Sequence, residues 1–267
     1  MASNRIGFRQ FLGTVKQGQT IDIIIDSNIL IAKWDELHTN HDEINLFLNS
    51  LDEIANVNFY TTVTTKSEVL DYQRRRLLTY GLLSLLEMSS LELAPVSRAK
   101  IGTVKGRKNT REKHELKRSQ KEGDEVDSHF LYFRDSEIKE IKKAFRARDI
   151  QNIAGWLTIC DVFLGKRLLR EEELIDELCI YLSPYKEEQF HIFNRKVDWK
   201  NATAISAKSG MGFSDSMILN MVLATKIDYI LTLDCDLVYA SAVSAPNKTV
   251  IIPDKRIKQF KQTLKRI

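Results

Sequence analysis

Five acidic residues stand where α/β proteins carry out chemistry: Asp26, Glu68, Asp215, Asp234 and Asp236. Asp215 follows Gly212-Phe213-Ser214 and opens an apolar run over 216–225. Met217, Ile218, Met221, Val222 and Leu223 of that run suit the buried side of a helix. The next segment, Asp228-Tyr229-Ile230-Leu231-Thr232-Leu233, is β-rich and too short for another helix, and Asp234 and Asp236 come where it stops. Ile21-Asp22-Ile23-Ile24-Ile25 is a β-branched run of the kind found in buried parallel strands, and Asp26-Ser27-Asn28 ends it. In an open α/β sheet, strand carboxyl ends and helix N-termini share one rim, and ligands bind there. Carboxylates gathered on such a rim suit a divalent cation.

The elements that must place these acids follow from the same patterns. A helix is expected over 42–55, with Ile44, Leu46, Phe47, Leu48, Leu51 and Ile54 on its apolar face, and a strand over 57–62. Thr64 or Thr65 then caps a long helix to about Glu87, with Glu68 in its first turn. Thr65 and Glu68 also have the spacing of a capping box, which gives Glu68 a purely structural use. Leu91-Glu92-Leu93-Ala94 reads as a third strand stopped by Pro95. From there the alternation of strand and helix lapses. The segment 98–121 carries ten Lys/Arg against two Glu, contains Gly102 and Gly106, and reads as exposed and mobile. Helices are expected over 127–148, 150–164, 170–182 and 184–193. A last strand at 249–252 precedes a basic C-terminal helix. The expected fold is a three-layer α/β sandwich with a largely parallel central sheet, formed by 1–97 and 200–267, with 98–199 as an inserted basic loop and helical subdomain.

At 267 residues, with 43% hydrophobic residues and only four Pro, the chain suits a folded protein with a real core and excludes global disorder. The net charge of +4 is mild but uneven: residues 1–97 hold eight Lys/Arg and twelve Asp/Glu. Polyanion binding is therefore expected to be local, at Lys105, Arg107, Lys108, Arg111, Lys113, Lys117 and Arg118. The three cysteines lack C-x-x-C spacing, which argues for reduced thiols and a cytoplasmic protein. No apolar run approaches the about eighteen residues of a membrane span, and the N-terminus lacks the apolar core of a signal peptide. The five histidines share no ligand spacing. Phe130, Tyr132, Phe133, Trp156 and Trp199 read as core residues more than as base-stacking platforms.

In order and placement these motifs resemble the PIN-domain nucleases. Asp26-Ser27-Asn28 matches the acid, Ser/Thr and Asn after the first strand, and Glu68 in Thr-Thr-Val-Thr-Thr-Lys-Ser-Glu matches the Glu early in the helix after the second. Asp215 in Gly-Phe-Ser-Asp-Ser-Met-Ile-Leu matches the acid opening the helix before the fourth strand. Thr232-Leu233-Asp234 matches the Thr-x-Asp signature, with Asp236 at a commonly acidic auxiliary position. The resemblance covers roughly 20–97 and 200–255; the block near 98–200 departs from it, because compact members connect these parts more briefly.

The resemblance implies a nuclease dependent on Mg²⁺ or Mn²⁺ that hydrolyses RNA or single-stranded nucleic acid generally. Asp26, Asp215 and Asp234 would hold the principal metal, and Glu68 and Asp236 would complete the site, hold a second ion or orient the attacking water. Ser27, Asn28 and Thr232 stand where they can orient carboxylates or phosphate oxygens. A toxin or anti-phage effector held by a protein partner fits the same sequence, as does a homo-oligomer. Two other classes compete. Asp234-Cys235-Asp236-Leu237-Val238 has the D-x-D-x-[T/V] form of haloacid-dehalogenase-like phosphatases, but that motif should open the catalytic domain, and only about thirty residues follow. The other rival is a non-catalytic RNA-binding or protein-interaction module with the insertion as its working surface.

Overall fold

The computed structural model describes residues 5–87, 91–122 and 128–257. The chain divides into two compact units, residues 1–36, 40–69 and 175–267 forming one and 37–39 with 70–174 the other.

The first unit is built on six strands: β1 (Arg5–Gly7), β2 (Thr20–Ile25), β3 (Asn56–Thr61), β4 (Cys179–Tyr181), β5 (Tyr229–Leu231) and β6 (Thr249–Ile252). They form one all-parallel sheet in the order β1-β6-β5-β2-β3-β4. The β-branched runs become its inner strands: Ile23, Ile24 and Ile25 are fully buried, as are Ile230, Leu231, Val250, Ile251 and Ile252. Successive strand side chains point to opposite faces. Ile24, Ile230, Val250 and Ile252 enter one core with residues of α9 (Trp199–Ser209), α10 (Phe213–Ala224) and α11 (Cys235–Ser244). Tyr229, of the other parity, meets Phe11 of α1 (Phe8–Thr14) edge-on at 5.1 Å, and Phe8 of α1 stacks on Phe47 of α3 (His41–Ile54) at 4.1 Å. Helices therefore cover both faces, giving the expected three layers. Between β2 and α3 lies α2 (Ser27–Trp34).

From β2 the chain moves outward through β3 to β4, then returns to the other side of β2 for β5 and β6. The order thus reverses between β2 and β5. This is the switch point whose carboxyl-end crevice open α/β sheets use for ligands.

The second unit is helical. It takes residues 70–84 of α4 (Val63–Ser84), then α5 (Pro95–Glu122), α6 (Asp135–Lys142), α7 (Trp156–Phe163) and most of α8 (Gly165–Leu178), with a short 3₁₀ turn at Ser128–Leu131. Its core joins Leu78, Leu82 and Leu85 to Ile101 and Val104 of α5, Phe133, Ile138 and Ile141 around α6, and Trp156, Ile159 and Phe163 of α7. Gly81 of α4 lies directly beneath the Phe163 ring.

Several local expectations change. Leu91–Ala94 is not a strand: Pro95 opens α5, a position where its missing N–H is no loss, and Leu93 is buried in the helical core. The place beside β3 is taken by Cys179–Tyr181, expected as the end of a helix. Segment 98–121 is helical, not a mobile loop, because Ile101, Val104 and buried Lys108 form a narrow inward stripe. The helix expected over 127–148 is a 3₁₀ turn followed by the shorter α6, that over 150–164 begins only at Trp156, and that over 184–193 is a 3₁₀ helix, Glu187–Ile192. The compact helical unit spans 70–174, against 98–199 expected from composition, because the later turns of α4 build its core and β4 belongs to the sheet. Phe133, Tyr132 and Trp156 are buried, whereas Trp199 is 68% exposed. The expected basic C-terminal helix falls largely outside the described residues. All three cysteines are free thiols. Among the described residues no helix is long and apolar enough to cross a membrane.

Candidate functional site

Strand β2 ends one residue before Asp26, whose N–H continues the sheet by donating to Leu231 O of β5 at 3.0 Å. Asp26 is the N-cap of α2 and its carboxylate is held by three donors. Oδ1 accepts from Ser27 N at 2.7 Å, and Oδ2 accepts from Asn28 Nδ2 at 2.8 Å and from the Thr232 hydroxyl at 2.6 Å. Thr232 Oγ1 in turn accepts from Asp234 N at 2.9 Å, and Asn28 Oδ1 accepts from Leu233 N at 2.9 Å. Ser27, Asn28 and Thr232 thus hydrogen-bond the carboxylates of Asp26 and Glu68 and fasten the loops after β2 and β5 to each other. Asp26 is only 4% exposed. Burial pushes its carboxyl up to about 7, against hydrogen bonds from Thr232 and Ser27 N that lower it, with neighbouring Asp234 and Glu68 raising it further.

Glu68 reaches this network from α4: Ser27 Oγ donates to its Oε2 at 2.7 Å. The helix is capped by Thr62, which accepts from Thr65 N at 3.1 Å. Glu68 is therefore engaged with the rim, and the cap lies earlier than Thr64 or Thr65. Asp234 caps α11 and accepts from Asp236 N at 2.9 Å, so Asp236 lies in the first turn of the same helix. Asp215 lies in the first turn of α10, half-buried. Its carboxyl is raised to about 6 by burial first, then by the charges of Asp234, Glu68 and Asp236. The five acids therefore share one electrostatic environment at the switch point. Asp26, Asp215, Asp234 and Asp236 also stand at helix N-termini, whose partial positive charge favours carboxylates.

Oxygen donors with neither sulfur nor imidazole suit a hard cation such as Mg²⁺ or Mn²⁺. Burial first, and then repulsion from neighbouring acids, raises the carboxyls of Asp26 and Asp215, and a cation would relieve that repulsion. In donor chemistry and electrostatics the residues fit such an ion. As they stand, no three His, Cys, Asp or Glu side chains among the described residues are gathered into a group that could hold one. Sequence reasoning missed Arg256, which donates to Leu233 O immediately before Asp234. Its only sequence signal is the basic character of the segment after β6.

The basic residues lie on α5, and much of their charge is paired. Arg107 meets Glu140, Lys108 is buried against Glu112 at 2.8 Å, Arg111 grips Glu137 at 2.7 Å, Arg118 meets Glu115 at 3.2 Å, and Lys105 lies 3.9 Å from Glu87. Lys113 and Lys117 are exposed and have no ion-pair partner among the described residues. Arg74, Arg75 and Arg76 are also engaged, with Asp71 and Asp135, with Asp71, and with Glu171. Comparison of the chain with models of known families, with curated proteins and with solved structures returns no match.

Proposed function

We propose that the acidic rim is the centre of a metal-dependent nuclease of PIN-like fold, acting on single-stranded RNA. The observation that carries this reading is the electrostatic coupling of Asp26 and Asp215 to Asp234 and Glu68 at the switch point of the sheet, with Asp236 also acting on Asp215; Asp26 is held there by three donors and burial pushes its carboxyl to about 7. The choice of RNA rests on the resemblance of the motifs to PIN-domain nucleases.

Asp26, Asp215 and Asp234 would hold Mg²⁺ or Mn²⁺, with Asp236 beside them. A bound ion of this kind polarises a phosphodiester, stabilises developing negative charge and lowers the pKa of its water. Asn28 and Thr232 hold the carboxylate of Asp26 in one orientation, so that it would meet an ion without reorganising. Glu68, whose Oε2 accepts from Ser27 Oγ, would accept a hydrogen bond from the attacking water and orient it. No cysteine or histidine nucleophile is required.

Cleavage of labelled single-stranded RNA by wild type and Asp26→Asn, with added Mg²⁺ or Mn²⁺, tests the assignment. Wild type should cut and the variant should not; equal activity in both sinks the reading. The second reading, a non-catalytic RNA-binding or protein-interaction module, is favoured by the lack of a ready three-ligand group among the described residues. It predicts no metal-dependent cleavage by either protein.

A further inference from the structure

The helical unit contains an open groove of about 720 Å³ between α5 and the start of α6, lined by Gly106, Arg107, Thr110, Arg111, His114 and Arg134 among others. On α5 these positions repeat at helical spacing, along one flank of the buried stripe of Ile101, Val104 and Lys108. Lys113 and Lys117 do not line the groove; they lie on the Gly106–Thr110 side of the same helix and extend its positive charge beyond it. From Thr103 to Lys117 the row rises roughly 21 Å.

We infer that this groove holds the phosphodiester backbone of a single nucleic-acid strand, independently of any cleavage at the acidic rim. Four features carry the inference. First, a cationic row of this length matches a ligand with repeating negative charge, whereas one small phosphate would engage one or two of its residues. Second, the groove has a rigid floor. Arg111 is anchored by Glu137 and by Tyr132 O at 3.0 Å, Arg107 is half exposed while paired with Glu140, and Arg134 is exposed. Third, Gly106 sits mid-helix, where glycine is disfavoured, yet an added Cβ would meet nothing within 4 Å. Internal packing therefore does not explain it, and bare backbone at a groove wall is what close approach of a ligand requires. Fourth, no Phe, Tyr or Trp lines the groove, so bases have no stacking platform and binding should ignore sequence.

The test is fluorescence anisotropy of labelled single-stranded RNA in EDTA, so that cleavage plays no part. Wild type should bind oligo-U, oligo-A and oligo-C with similar affinity. Arg107→Gln/Arg134→Gln should weaken binding about tenfold or more and lower the slope of log affinity against log salt by about 1.4, near 0.7 per lost phosphate contact. Lys166→Gln/Arg167→Gln removes the same charge from α8 and should leave affinity unchanged. Gly106→Leu fills the groove with a better helix former; it should melt no lower than wild type and bind more weakly. If the arginine double variant fails to fold, Gly106→Leu decides. The inference is overturned if wild type does not bind, if groove and α8 variants bind alike, or if inorganic pyrophosphate at equal phosphate concentration displaces the strand completely.

Discussion

The Thr232 hydroxyl donates to Asp26 Oδ2 at 2.6 Å, joining the ends of two neighbouring strands whose residues lie 206 positions apart. The same oxygen accepts from Asp234 N, so one hydroxyl ties the carboxylate of Asp26 to the backbone at Asp234. Thr232→Val keeps the shape, removes the donor to a buried carboxylate and strands Asp234 N. Loss of such a bond costs about 1.5–3 kcal/mol. Urea denaturation should show that decrease, and any metal-dependent cleavage should fall with it. A variant as stable as wild type would mean that the bond contributes nothing net.

Stability without divalent cations should depend on pH in a particular direction. An unfolded aspartate loses its proton near 3.8, whereas folded Asp26 keeps it to about 7 and Asp215 to about 6. Between these values the folded chain binds more protons, so stability falls as pH rises from about 4 to about 7 and levels off above. For Asp26 the loss is on the order of 4 kcal/mol. Asp26→Asn removes that contribution. Urea midpoints measured in EDTA across this range should decline less steeply in the variant; parallel declines would contradict the burial of this carboxyl.

Mn²⁺ titration monitored by thermal melting is the measurement to make first. An ion bound only by the folded chain stabilises it by about 2.7 kcal/mol at one hundred times its dissociation constant. The melting temperature of wild type should rise with Mn²⁺, and that of Asp26→Asn/Asp215→Asn should not. An equal rise in both would place the ion elsewhere, and no rise in either would favour the non-catalytic module.

Gly81→Ala probes the helical unit alone. A Cβ at this position would lie 2.2 Å from the Phe163 ring. Alanine is the better helix former by about 1 kcal/mol, but overpacking costs typically about 1–3 kcal/mol. The variant should be destabilised, and adding Phe163→Leu should restore part of the loss. Stabilisation by Gly81→Ala alone would show that the ring moves aside freely.

The site was readable where chemistry and secondary structure are both local. The isoleucine run of β2 announces a buried strand by itself, and Asp26, Asp215 and Asp234 each sit within a residue or two of the element boundary that places them. What escaped depends on distant partners. Cys179–Tyr181 becomes a strand through pairing with β3, and three residues carry no period of their own. The inward stripe of α5 is too narrow to outweigh ten cations and two glycines in a reading of composition. Pro95 looked like a strand stop because proline ends one element and begins the next with equal ease. Whether Glu68 faced its own helix or the rim turned on Ser27, forty-one residues away.

The reversal of strand order also governs when the rim comes into being. β2 emerges early in synthesis, but its neighbour β5 and the acids that follow arrive about two hundred residues later, and edge strand β1 waits for β6. Pairings of such long sequence separation form late, after much chain entropy has been lost. A nascent chain that has passed Asp26 and Glu68 therefore holds isolated carboxylates and no centre. The five acids share one rim only once the sheet has closed around β5, so the activity proposed for them would be confined to chains that have completed their fold.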